Sequence, residues 1–257
     1  MRVLVAIAAA ALCSGCVTAE TVRFQAKADQ QALMRDGQAA LVSRKKGSIV
    51  MIRPASRQFQ SGGRPVFVVG VYNAGTTPID FSVRNVAVTQ SVNETAIPLK
   101  VFSYEELVTE ERTRQVVSAM LVGVAAGANA AAASSAGYYN SSGTVQTTTY
   151  GRHGTYTSTG TYHSSGYSPA LAAAAQARAA AQNEAMISAT VEQGRQNLAV
   201  LERAVIKDHT VLPGEWYGGQ LHVSPPASEG SGPKTYSVAL QIGNERHEID
   251  VVQEATR

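Results

Sequence analysis

The chain has two cysteines in 257 residues, and both fall within the first sixteen positions, at Cys13 and Cys16. That excludes a disulfide framework, a cysteine nucleophile and thiolate metal sites from the rest of the protein. Charge is scarce as well, at 16% of residues, and the net balance of +3 is too mild to recruit a polyanion, so no nucleic-acid partner is expected. The motifs of common chemistries are missing too. His247-Glu248 lacks the second histidine of an H-E-x-x-H helix, and neither a G-x-S-x-G elbow nor a G-x-x-x-x-G-K loop occurs. His153 and His163 lie ten apart in polar sequence, too weak a pattern to assign a metal site. Glu105, Glu106, Glu110 and Glu111 cluster where a helix should begin, and there they complement its dipole. No catalytic residue, metal ligand or cofactor is assigned, and an enzyme is not expected.

What is present begins with an apolar run of ten residues, Val3 to Leu12, after Arg2. A spanning helix needs about 20 residues, so this run suits a cleavable export signal instead. It ends in Leu12-Cys13-Ser14-Gly15-Cys16, which resembles the lipobox of bacterial lipoproteins, although Cys13 stands where an aliphatic residue is usual. The resemblance implies a signal peptide over 1–15, cleavage before Cys16 and acyl chains on the Cys16 thiol. Cleavage after Ala or Gly by the ordinary signal peptidase is the alternative. Val17, rather than Asp, follows the lipidated position, which by the same resemblance implies the outer membrane, on its periplasmic face. Each buried methylene adds about 0.8 kcal/mol, so a multiply acylated cysteine is an effectively permanent membrane anchor.

Downstream, residues 16–46 read as the lipidated N-terminus and a tether, with a short polar helix around Ala28 to Met34. Residues 47–102 read as strands: Ile49 to Ile52, Val66 to Tyr72, the alternating Ile79, Phe81 and Val83, and short runs at Val86 to Val88 and Ile97 to Phe102. Residues 208–257 resume the pattern, with Trp216 to Val223 and two alternating runs around Gly243-Asn244, a hairpin turn. Seven or eight short strands with turn punctuation predict an immunoglobulin-like antiparallel β-sandwich. The two parts are separated by residues 103–207, so the fold class expected is α+β: a sandwich interrupted by a long antiparallel helical hairpin.

Two start signals define that hairpin. Ser103-Tyr104-Glu105-Glu106 is a capping box, and Ser168-Pro169 places a cap before a proline at the first helical position. From Gln115 to Ala177, 63 residues carry one charge, Arg152, where the chain average would place about ten. Ala119, Gly123, Gly127 and Ala131 recur every four residues in this desert and stack on one helix face. The stripe resembles a glycine zipper, which lets backbones approach closely. It has three candidate counterparts: the Ala-rich start of the second helix, copies of itself in an oligomer, or the bilayer, entered by Val116 to Ala133. Between the helices, the tip at 138–168 is rich in Gly, Ser, Thr and Tyr. Its composition fits a disordered polar loop or an adhesive β-tip, in which the six-residue spacing of Tyr150, Tyr156 and Tyr162 would align them on one face of an extended segment.

The lipobox, the strand-rich body and the Ala/Gly-rich helical insertion together resemble uncharacterised bacterial envelope lipoproteins. The resemblance carries no activity. The expected role is non-catalytic: a membrane-anchored envelope protein with a protein partner, self-assembling through the hairpin. A pore-like oligomer built from the zipper, and a ligand binder or enzyme using sandwich loops around Trp216, are the alternatives.

Overall fold

The computed structural model describes residues 19–35, 37–60, 62–92, 95–226 and 233–255. About 50% of the described residues are strand and 32% helix, a mixed α+β architecture. It divides into two compact units, one formed by residues up to Val108 together with those from Ala199 onward, the other by Thr109–Leu198.

The strands before the helices are β1 (Ala19–Gln25), β2 (Gln30–Arg35), β3 (Gln38–Arg44), β4 (Ser48–Pro54), β5 (Phe59–Gln60), β6 (Val66–Asn73), β7 (Ile79–Phe81), β8 (Val86–Val92), β9 (Thr95–Leu99) and β10 (Val101–Phe102). Helix α1 (Tyr104–Ser135), strands β11 (Tyr138–Gly151) and β12 (Gly154–Tyr167), and helix α2 (Pro169–Ala204) follow. The chain then returns through β13 (His209–Val211), β14 (Trp216–Val223), β15 (Lys234–Ile242) and β16 (Glu245–Ala255). One six-stranded sheet runs β5-β1-β16-β15-β8-β9 and the other β10-β14-β6-β4-β3-β2, while β13 and β7 form a small pair.

Period-two patterning explains these sheets. Phe67, Val69 and Val71 of β6 point into the core from one sheet, and Tyr236, Val238 and Leu240 of β15 from the other. Gly243, at φ 53°, makes the turn that returns β15 into β16, as Gly-Asn between alternating runs predicts.

Residues 16–46 were expected to be a tether with a short helix. The structure corrects this: from Ala19 the chain is strand, and β2 replaces the helix around Ala28 to Met34. The reason lies in Glu20, whose carboxylate points inward and accepts from Lys234 Nζ at 2.7 Å and from Gln253 Nε2. Charge at an inward position hid the alternation of Glu20, Val22 and Phe24. Glu20 lies against Ala255 and Gln25 against Asp250, so β1 is held along its length by β16.

Both helix starts behave as the caps predict. Glu106 N–H donates to Ser103 Oγ at 3.2 Å, the Ser103 N–H donates to Glu106 Oε2 at 3.0 Å, and Leu171 N–H donates to Ser168 Oγ at 3.3 Å. α2 stops at Ala204 rather than Lys207, because Ile206 N–H donates to Gln220 O at 3.0 Å and draws the chain onto β14.

Candidate functional site

The Thr109–Leu198 unit is built around a seam of small and amide side chains. Gln115 Nε2 donates to Gly194 O at 2.9 Å, Asn183 Nδ2 to Ala126 O at 3.1 Å, and Asn129 Nδ2 to Asn183 Oδ1 at 3.0 Å. Asn197 Nδ2 donates to Glu111 Oε1 at 2.9 Å, and Arg114 pairs with the other oxygen of that buried carboxylate. These contacts match early α1 to late α2, so the helices run antiparallel. Gly194 is the glycine that close packing requires: a Cβ there would come within 2.8 Å of the Gln115 side chain.

The predicted zipper lies elsewhere. Ala119, Gly123, Gly127 and Ala131 are all exposed, and a Cβ built on either glycine meets nothing within 4 Å. The stripe therefore does not pack on the Ala-rich start of α2. The contact face of α1 is Gln115, Ser118, Val122, Ala126 and Asn129, each about 100° or more around the helix from Gly127. Beside the stripe stand Val116, Met120 and Val124, the last two 65% and 73% exposed. Polar groups inside and apolar ones outside invert the usual pattern of a surface helix. Among the described residues, α1 is the one helix long and apolar enough to cross a membrane by length and composition, with 6% of its apolar window buried.

The tip is a β-hairpin. β11 and β12 pair without interruption from Tyr138↔Tyr167 to Gly151↔Gly154, around a turn at Arg152-His153. Their side chains are exposed at nearly every position. The three tyrosines do not share a face. Tyr156 pairs opposite Thr149, one position along from Tyr150, so Tyr156 and Tyr162 share a face with Tyr139 while Tyr150 lies on the other. The even spacing holds only within one strand, and the turn falls between Tyr150 and Tyr156. Tyrosines on the first face lie over cross-strand glycines: a Cβ on Gly143 would come within 2.6 Å of the Tyr162 ring, and one on Gly166 within 2.7 Å of the Tyr139 hydroxyl.

In the other unit, Trp216 opens β14, the strand expected from Trp216 to Val223. It is 55% exposed, its ring 5.0 Å from that of Tyr72 and above Gly70. A cavity of about 710 Å³ is lined in part by Arg84, Tyr104, Glu106, Lys207 and Asp208. Several of its polar groups are already spent on the fold. Lys207 Nζ sits 4.2 Å above the Tyr104 ring, Asp208 accepts from Ser82 Oγ and the Val83 N–H, and Glu106 is engaged by Lys100 and the Ser103 cap.

A buried histidine cluster escaped the sequence reading, because its members come from β3, β4 and β16. The Ser48 hydroxyl donates to Glu245 Oε2, so Ser48 Oγ, 2.8 Å from His247 Nε2, accepts from that ring nitrogen. Nδ1 then accepts from Ser43 Oγ at 2.9 Å. The Ser48 proton is held by the carboxylate and the imidazole base points away from it, so the trio ties the two sheets together and does not activate a nucleophile.

Burial lowers the His247 pKa below its ordinary 6.5; Lys45 lowers it further, while Glu245 and Asp29 pull it up. The unfolded chain therefore takes up a proton on falling through about 6.5 before the folded one does. Stability contributed here is present above that pH and lost below it. Burial pushes the Glu245 pKa up, but the Ser48 hydroxyl, the Gly47 amide and His247 outweigh it and hold it below 4.5, so its own loss falls lower. The urea midpoint should therefore decline from pH 7 to pH 5, and His247→Gln should flatten that limb. An equal slope in the variant would assign the decline to other groups.

Cys16 lies outside the described residues. Among those described, no group of three or more His, Cys, Asp or Glu side chains could hold a metal ion. In comparisons with known proteins, the chain matches no family model, no curated protein and no solved structure.

Proposed function

We propose that this protein is a non-enzymatic envelope lipoprotein, anchored through Cys16 to the periplasmic face of the outer membrane, that self-assembles through its helical insertion. In this reading the two sheets are an immunoglobulin-like sandwich, and α1 and α2 form its inserted hairpin. The sandwich meets an envelope protein partner, for which the exposed Trp216, packed against the half-buried Tyr72, is an anchor of suitable chemistry. The observation that carries the reading is the open glycine stripe. A helical glycine costs about 1 kcal/mol against alanine, and neither Gly123 nor Gly127 has a neighbour within its own chain to compensate. A second copy packed there, with Val116, Met120 and Val124 covered, supplies the compensation.

The test is the mass of the full lipidated chain in detergent, with and without Gly123→Leu and Gly127→Leu. Leucine favours the helix by somewhat under 1 kcal/mol per site relative to glycine, so each variant should keep or raise the stability of the single chain. The expected result is an oligomer that falls to single-chain mass in the double variant while its circular dichroism is kept. A monomeric wild type, or an oligomer indifferent to both leucines, would reject this contact.

The exposed, charge-free length of α1 supports a second reading, in which the insertion enters the bilayer as part of a pore-like assembly. Cys16→Ser separates the two. A protein that leaves the membrane on losing its acyl chains favours anchoring alone, and one that resists carbonate extraction favours insertion.

A further inference from the structure

The β11–β12 hairpin has two open edges and none of the devices that keep open edges apart. Natural edge strands are blunted by lysine, proline, inward charges or bulges. Neither strand here contains a proline or a charged residue, and their pairing runs through fourteen residues on each side without a bulge. Arg152 lies in the turn, beyond both edges. A two-stranded hairpin alone is marginal in water, and three or more strands are needed for independent stability.

We propose that hairpins of neighbouring copies join edge to edge, β12 of one against β11 of the next, into a closed antiparallel β-ring. This rests on the self-assembly proposed above and names its second contact. The occupant is another copy because the two free edges complement each other. They are equal in length and opposite in direction, so adding a hairpin continues the alternation β11, β12, β11, β12 with every strand paired. Such a contact joins two different edges, and a heterologous contact makes either a ring or an open filament. If the lipid proposed on Cys16 gathers the copies on one surface, a constant rotation between neighbours closes them into a ring.

The hairpin suits such a wall. Fourteen residues at about 3.3 Å each give strands about 46 Å long. One face carries Gly143, Gly151, Gly154, Gly160 and Gly166 with Val145 and three tyrosines. The other has no glycine and carries Thr, Ser, Asn and Gln with His163 and the other three tyrosines, Tyr138, Tyr150 and Tyr167. Ring closure gives those two faces different surroundings, one lumenal and one external.

Two experiments on the full lipidated chain test the ring. In the first, chains with Cys only at successive positions of β11 are co-expressed with chains having Cys only in β12, under separate tags. Disulfide-linked dimers between β11 and β12 chains are expected, while β11-to-β11 dimers alone would overturn the head-to-tail geometry. In the second, Thr147→Lys and Thr157→Lys, which fall on opposite faces and are not directly paired, blunt the edges. The expected result is loss of the oligomer without change in the unfolding of the sheet unit. An oligomer that survives these lysines but falls to single chains with Gly123→Leu and Gly127→Leu would overturn the ring and leave self-assembly through α1 standing. A monomeric wild type would overturn both.

Discussion

Replacing Gly219 with valine is expected to destabilise the sheet unit by about 3–5 kcal/mol, beyond the 1–3 kcal/mol usual for an overpacked core. Gly219 lies on the stretch of β14 where the chain leaving α2 crosses the sheet. A Cβ there would stand 2.8 Å from Ile206 N and 2.9 Å from Ala204 O, which are backbone atoms unable to rotate aside. Residues 204–206 must therefore lift. The bond from Ile206 N–H to Gln220 O is lost, and the Ile206 side chain, 1% exposed, is drawn out of the core. Trp216 is the chain's one tryptophan and sits three residues away on the same strand, so its fluorescence during urea unfolding reports this unit alone. A Gly219→Val protein with the wild-type urea midpoint would show that the 204–206 segment yields without cost.

The second large effect is at Lys234. Its ammonium and the Glu20 carboxylate are both almost completely buried and 2.7 Å apart. Lys234→Met removes the cation and strands the carboxylate, with Gln253 still donating to it. Breaking one side of a buried pair costs about 3–5 kcal/mol, whereas replacing both partners with apolar residues is often neutral or favourable. The expected order of urea midpoints is therefore wild type close to Glu20→Leu/Lys234→Met, with Lys234→Met far below. The gap should change little with added salt, because buried pairs are poorly screened. If the double variant were as weak as the single, the loss would be one of packing around the lysine stem and not of charge.

The same pair shows where the sequence was opaque. Alternation in β6 and β15 announces strands whose inward residues are all apolar, and Ser103 with Glu106 announces α1 from four residues. β1 announces nothing, because its inward Glu20 is explained by Lys234 and Gln253, both more than two hundred positions on. The His247 cluster is hidden for the same reason, with Ser43 and Ser48 remote in the chain. The helical insertion was legible in extent but misleading in its contacts. Both Gly127 and Ala126 lie on i, i+4 stripes, and the glycines look more like a packing seam than Gln115, Ser118 and Asn129 do. Hydrogen bonds from the amides on the two helices decide the matter, and no pattern within α1 alone reveals them. For the tip, Thr and Tyr favour strands while Gly and Ser favour loops. The face on which Tyr150 falls depends on two turn residues, not on its spacing from Tyr156.

The placement of β16 between β1 and β15 sets the order in which the fold can be completed. β1 precedes every other described strand, yet its partner along nearly its whole length is β16, the last of them. Until then it can pair only with the two residues of β5. Contacts so distant in sequence form slowly. The helical insertion can acquire its local hydrogen bonds early, while the first sheet stays open down its middle. A ribosome stall between Ala204 and Glu245 therefore leaves a chain with both helices made and the body unfinished. Arrival of the final strand is the event that turns this chain into a protein.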